Sequence, residues 1–329
     1  MSKTGVQNTA QTGAGRVLSP NQRAWVQFRR NPVAAASAIF LMVVLALVLV
    51  WPLFGSPAFM RLLPKAMTWS PNALSDSQFS SPGAEHWFGT DVHGRDLLSR
   101  VLYGARISLL VGAVGAVVSL VIGVLWGAIA GYVGGTWDNA MMRIVDVLYS
   151  LPSIVFVIVL ISTLEVYFKD WVSRLFGPAS GGAVRMLLLF AGLGAVSWLT
   201  MARIVRGQVL SMRARAFVDA GRALGASHAR ILLKHVLPNV SGVVIVYLTL
   251  TVPSVILYES FLSFLGLGIQ PPQASLGYLI ADGAANLNAI RVYWWLIVFP
   301  GTALAATLLA LNFLGDGLRD ALDPRESRG

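Results

Sequence analysis

The chain has 329 residues, 56% of them apolar and only 12% charged, with a formal net charge of +10 and a mean hydropathy of +0.68. Soluble domains carry roughly 25% charged residues, so a water-soluble globule is excluded, and a disordered chain is excluded by the same apolar content. The absence of cysteine rules out disulfides, thiolate metal sites and a cysteine nucleophile, and the 25 Lys and Arg fit loops flanking membrane spans better than nucleic acid.

The chain opens with a polar arm, residues 1–32, holding Lys3, Arg16, Arg23, Arg29 and Arg30. A membrane-crossing helix needs about 20 apolar residues, and the first such run is Val33 to Phe54. It is long for the core of a secretory signal and lies far behind the start of the chain, so it reads as a span that is not cleaved. A long outer loop follows, residues 55–106. The core membrane region, 107–315, contains the remaining runs: Ile107 to Gly131, Met142 to Leu164, Met186 to Ala202, Val240 to Phe264 with Pro253 inside, and Val292 to Gly315. Residues 316–329 form a polar tail. The expected fold class is therefore an all-α membrane protein with six transmembrane helices, since a helix satisfies its own backbone where there is no water.

Six spans place both termini on one side. With the N-terminus inside, inner segments carry sixteen of the Lys and Arg and outer segments nine, which favours cytoplasmic N- and C-termini. The inner segment 203–239 is the longest polar stretch of the second half, and connections of that length usually have a function. In the second span Gly115, Ser119, Gly123, Gly127 and Gly131 recur every fourth residue. That spacing makes a stripe almost free of side chains for close helix packing, within this chain or on a second subunit.

Enzyme chemistry finds no support. There is no His-Glu-x-x-His, and the four histidines (His86, His93, His228, His235) read as exposed loop residues without a carboxylate to complete a metal site. Gly225-Ala226-Ser227-His228 has neither a strand before it nor an acidic third partner, so it is not a serine triad. None of the four lysines follows a glycine, so there is no Walker phosphate loop, and the energy source is an ion gradient or a separate ATPase. Asp146, Glu165, Arg203, Arg206 and Glu259 lie toward span ends, which argues against a proton relay through the middle of the membrane.

The inner segment carries Phe217-Val218-Asp219-Ala220-Gly221-Arg222-Ala223-Leu224-Gly225, then nine residues, then His235-Val236-Leu237-Pro238. This resembles the EAA signature of ABC-importer permeases: Ala220, Gly225, Leu237 and Pro238 are in register, Asp219 replaces Glu, Gly221 replaces the second Ala and His235 replaces Ile. Phe88-Gly89-Thr90-Asp91-Val92-His93-Gly94-Arg95-Asp96, Ser260-Phe261-Leu262-Ser263-Phe264-Leu265-Gly266 and Asn312-Phe313-Leu314-Gly315-Asp316-Gly317-Leu318-Arg319-Asp320-Ala321-Leu322-Asp323-Pro324 narrow the resemblance to dipeptide and oligopeptide permeases. It is closest to the C-type permeases of oligopeptide importers.

That resemblance implies a type I ABC importer permease fold in a bacterial inner (plasma) membrane. The partners it implies are a homologous second permease, two cytoplasmic ABC ATPases that bind ATP and Mg, and a periplasmic or lipid-anchored binding protein delivering peptide. No cofactor is expected on this chain itself, and no catalytic residue. Asp219, Ala220, Gly221, Gly225, His235, Leu237 and Pro238 are then the ATPase-coupling residues. Gly221 and Gly225 offer close approach, Arg213, Arg215, Arg222 and Arg230 offer charge, and Pro238 ends the coupling helix. In the outer loop Asp91, Arg95 and Asp96 are candidates for gating or for docking the binding protein, with turn structure and local ion pairs as the plainer alternative. Related permeases carry dipeptides, nickel or other solutes on the same scaffold, and a stand-alone secondary transporter is the competing class, although no repeat supports it.

Overall fold

Apolar runs without water must satisfy their own peptide groups, and a helix does so within one segment. The computed structural model of the chain describes residues 20–54, 69–176, 181–287 and 291–322, and every regular element among them is helical. In chain order these are α1 (Pro20–Arg30), α2 (Pro32–Phe54), α3 (Leu97–Val133), α4 (Gly135–Ser150), α5 (Ser153–Phe176) and α6 (Gly181–Arg213). The second half has α7 (Ala216–Ala223), α8 (His228–Ile231), a π-helical turn (Leu232–Val236), α9 (Leu237–Phe264), α10 (Leu276–Ala285) and α11 (Trp295–Leu322). Lys3, Arg16, Arg61, Lys65 and the Asp323-Pro324 end of the C-terminal motif lie outside the described residues.

Among the described residues, five helices are long and apolar enough to cross a membrane, and a sixth span results when α4 and the first part of α5, bent by 90°, count as one. The expected third span, Met142 to Leu164, is thus sharply bent at Pro152. Pro152 lacks an N–H, and its ring drives the preceding residue out of the helical region; Leu151 sits at φ −81, ψ 138, and α4 stops there.

Four helices are longer than the apolar runs suggest: α3 starts at Leu97, inside the expected outer loop 55–106, α5 continues past Leu164 to Phe176, α6 past Ala202 to Arg213 and α11 past Gly315 to Leu322. The end of α6 can be polar because each arginine finds a partner: Arg203 bonds Asp146, Arg206 bonds Asp138, and Arg213 donates to the Val133 carbonyl. The first part of the expected inner loop is therefore helix.

The spine is α3. Its 37 residues make a rod about 55 Å long, against about 30 Å for the hydrocarbon core, so it projects beyond the membrane. Its small-residue stripe is filled by the same chain. A Cβ at Gly123 would stand 2.6 Å from Cβ of Met201, one at Gly131 2.8 Å from the Arg206 carbonyl oxygen, and one at Gly127 would strike the Ala202 carbonyl. Further along, Gly115 faces Val255 of α9, and Ser119 is fully buried. The stripe thus lets α3 seat directly on the backbone of α6 and the side chains of α9, the contact that orders the bundle.

Candidate functional site

At one end of the bundle α6 passes into α7, α8 and the π-helical turn. Val218, Ile231 and Val236 are fully buried there, and they join Tyr132 of α3, Val205 and Val209 of α6 and Val240 of α9 in one apolar cluster. Burying such side chains stabilises by about 1.5–3 kcal/mol each, so the segment is anchored on three spans. Its outer face is different: Leu224 is 87% exposed, Phe217 is exposed beside it, and Asp219, Ala220, Gly225, His235 and Pro238 are exposed too, with Gly221 and Leu237 half-covered. Asp219 bonds Arg222 at 3.2 Å on this surface.

The two glycines of the motif do different things. Gly225 has φ +77, its N–H bonds the Arg222 carbonyl at 2.9 Å, and the Ala226 N–H bonds the Gly221 carbonyl at 3.0 Å. This is a Schellman end for α7, which requires a left-handed residue at that position. Nothing stands within 4 Å of a Cβ placed on Gly225, and at Gly221 the nearest atom is Ile231 Cγ1 at 3.6 Å. Within the chain, Gly225 is therefore set by its backbone conformation, and at Gly221 the nearest neighbour is this chain's own α8.

Pro238 also departs from expectation. It stands in the first turn of α9 and does not stop the helix, for residues His228–Phe264 run on as one span. A proline ring crowds the carbonyl four residues earlier. The wider π-helical turn before it, in which the Leu237 N–H reaches back to the Leu232 carbonyl, makes room. His228 bonds the Tyr132 hydroxyl at 3.1 Å, tying α8 to the end of α3.

Beside this segment runs a charged seam that sequence reasoning missed in part. Arg206 grips Asp138 of α4 with both arms, at 2.5 and 2.7 Å, and Arg203 bonds Asp146 at 2.8 Å while lying 4.1 Å over the Tyr149 ring. The signal was present as arginines three apart facing carboxylates eight apart, both single-face helical spacings. Arg143 lies in the same open polar cleft of about 540 Å³, lined also by Asn139, Met142, Asp146, Arg203 and Arg206.

At the opposite end Asp96 caps α3: its Oδ2 accepts from the Ser99 N–H at 2.8 Å, and its Oδ1 meets His86 Nδ1 at 2.9 Å. Asp91 accepts from the N–H groups of His93 and Arg95, and its other oxygen takes the Arg95 side chain at 2.7 Å. Trp295 donates to the Thr90 carbonyl at 3.2 Å, and Phe79 and Phe88 stack on Tyr293 and Phe299. Asp91, Arg95 and Asp96 are all buried, and their side-chain partners lie within the loop and at the start of α3. His86 is buried with them, which corrects its reading as an exposed loop histidine; the Asp96 carboxylate gives the ring a partner.

Behind this loop Arg100 is buried 3.5 Å from Asp91. Burial raises the Asp282 carboxyl of α10 above its ordinary value against the pull of Arg100, and likewise raises the Tyr278 phenol. Nearby Glu259 is fully buried and accepts from Ser263 Oγ at 2.6 Å. The described residues hold no cluster of three His, Asp or Glu fit for a metal.

Comparison with known proteins gives the arrangement a context. Residues 123–328 match the family described as binding-protein-dependent transport system inner membrane component, and residues 19–65 match the N-terminal TM domain of oligopeptide transport permease C. The chain is 46% identical over 312 residues to the oligopeptide transport system permease protein OppC of Escherichia coli K12, covering 95% of this chain and 93% of that protein. It is 41% identical over 311 residues to the dipeptide transport system permease protein DppC of Bacillus subtilis 168, covering 94% and 88%. The structure of the inward-facing MetNI methionine ABC transporter matches in fold with a TM-score of 0.50 at 22% identity, covering 68% of this chain and 97% of that one.

Proposed function

The chain belongs to the inner-membrane component family of binding-protein-dependent transport systems, as a multi-pass ABC-importer permease subunit, and from that premise we propose that its cargo is oligopeptide and that α7 and α8 receive the stroke of a cytoplasmic ATPase. The observation that carries the cargo is the 46% identity with an oligopeptide permease sustained over 95% of the chain. The coupling role is supported by the geometry of one surface. Leu224 and Phe217 stand exposed on a segment whose opposite face is sunk among α3, α6 and α9. Burying each in a partner's cleft contributes about 1.5–3 kcal/mol, and displacement of the segment moves three spans together.

In this reading a homologous second permease completes the pathway, and the α4–α6 cleft with Arg143, Asp146 and Arg203 lines part of it. ATP and Mg belong to the two ATPase subunits, and this chain is not itself an enzyme. Both termini and the α7–α8 segment lie on the cytoplasmic side, as the excess of Lys and Arg there supports. The loop around Asp91, Arg95 and Asp96 then faces the peptide-binding protein, with those three side chains keeping the loop in shape for it.

Reconstitution into liposomes tests the assignment. Labelled oligopeptide is expected to accumulate only when the second permease, both ATPases, binding protein and MgATP are all present. Movement of peptide by the isolated chain, down a gradient or with protons, would make it a secondary transporter. Uptake of nickel or dipeptide by the full assembly with none of oligopeptide would overturn the cargo.

A further inference from the structure

The short helix before the first span has two unlike faces. Among its described side chains, Gln22, Trp25, Val26, Arg29 and Arg30 are exposed, at i, i+3, i+4, i+7 and i+8, a single helical stripe. On the other side Ala24, Gln27 and Phe28 are partly covered, Phe28 lying against Gly317 of α11. The exposed stripe is apolar in its middle and cationic at its end: Trp25 is 56% exposed, Val26 42%, and the Arg29 guanidinium lies 5.0 Å over the indole. Among the described residues no carboxylate pairs with Arg29 or Arg30.

The connection to α2 fixes the depth of this stripe. Asn31 alone separates the two helices and caps the second, accepting from the Ala34 N–H at 3.1 Å. The span that follows, Pro32–Trp51, has a mean hydropathy of 3.0 with only 17% of its most apolar window buried in the chain, so it enters hydrocarbon at once. A helix joined to it by one residue is held at headgroup level. Tryptophan with flanking arginine is the pairing suited to that level, the ring at the acyl boundary and the cations among phosphates.

We propose that α1 is an interfacial helix that recruits anionic phospholipid, Trp25 and Val26 entering the acyl boundary while Arg29 and Arg30 hold lipid phosphates. The attraction of basic side chains to an anionic leaflet supplies the selectivity. This goes beyond the transport assignment and does not depend on the cargo.

The absence of cysteine makes the test direct. Full-length chain with Val26→Cys, labelled with the fluorophore NBD, is reconstituted into vesicles of equal phosphatidylcholine and phosphatidylglycerol, with a spin-labelled quencher carried on one lipid or the other. Quenching by labelled phosphatidylglycerol is expected to exceed that by labelled phosphatidylcholine about threefold, and to fall to parity when Arg29→Gln and Arg30→Gln are added, with both lipids still quenching. Equal quenching in the parent would overturn the selectivity. Quenching by aqueous iodide and by neither lipid, or by none of the three as under a protein partner, would overturn the interfacial placement.

Discussion

Leu224 and Gly225 are adjacent and do separate work. Leu224 is exposed and touches little of its own chain, so Leu224→Asp is expected to leave the melting temperature of the purified subunit unchanged while abolishing ATP-driven uptake in the assembled importer; normal uptake would remove the docking surface. Gly225 is set by φ +77, where a side chain costs about 1 kcal/mol. Gly225→Ala should therefore lower stability by that amount and Gly225→Asn by less, which makes a bulky change at 225 a poor probe of coupling. At the far end Asp282 is raised by burial, so its proton is held more tightly in the fold than in the unfolded chain. The resulting cost is absent below the ordinary carboxylate pKa, grows as pH rises through the interval up to the raised value, and is complete above it. Asp282→Asn is accordingly expected to raise the melting temperature at neutral pH and leave it unchanged in acid; the opposite trend would contradict the assignment.

Among the elements, α4 depends most on a single contact. Asp138 is buried, Arg206 is about one-third exposed, and the fork between them pins α4 to α6. Arg206→Leu leaves a buried carboxylate without its cation, a loss of about 2 kcal/mol once solvent screening of the partly exposed guanidinium is allowed for. The double variant Asp138→Asn/Arg206→Leu should recover much of it in thermal unfolding, and additive losses would mean that the pair does not couple. The existence of most long helices was legible, because hydropathy alone dictates them. Their ends were not: α6 outruns its apolar stretch because Arg203, Arg206 and Arg213 find partners across the bundle, and Pro152 inside the third run marks a kink but not the 90° size of the break found there. The short α10 was missed altogether. It is held by Ser275 capping its own N-terminus and by Ser108 bonding the Leu276 N–H from 168 residues away, and no local pattern announces such a contact.

At the scale of the whole molecule, the two ends of a rod longer than the membrane carry different duties. One end is closed by buried charge, with Thr90 and Trp295 joined across 205 residues. That knot explains why motif residues Asp91, Arg95 and Asp96 are recognisable in the sequence while their burial is not. The other end presents α7 and α8, where spacing and residue types were visible as a motif, and the buried foot of Val218, Ile231 and Val236 ties that segment to α3, α6 and α9. The small-residue stripe of α3 holds that helix in backbone contact with α6. Gly127→Leu, which would drive a side chain into the Ala202 carbonyl, is expected to destabilise the subunit by at least the 1–3 kcal/mol typical of overpacking, with loss of insertion or of thermal stability as the readout. The central claim is that an ATPase grips the surface around Leu224. The most direct test places a single cysteine at Leu224, in a chain that has no other, and treats the assembled importer with a short thiol-to-amine crosslinker. The expected result is a crosslink to the ATPase subunit that strengthens with ATP, and a crosslink to the binding protein, or none to the ATPase in a complex that still transports, would contradict it.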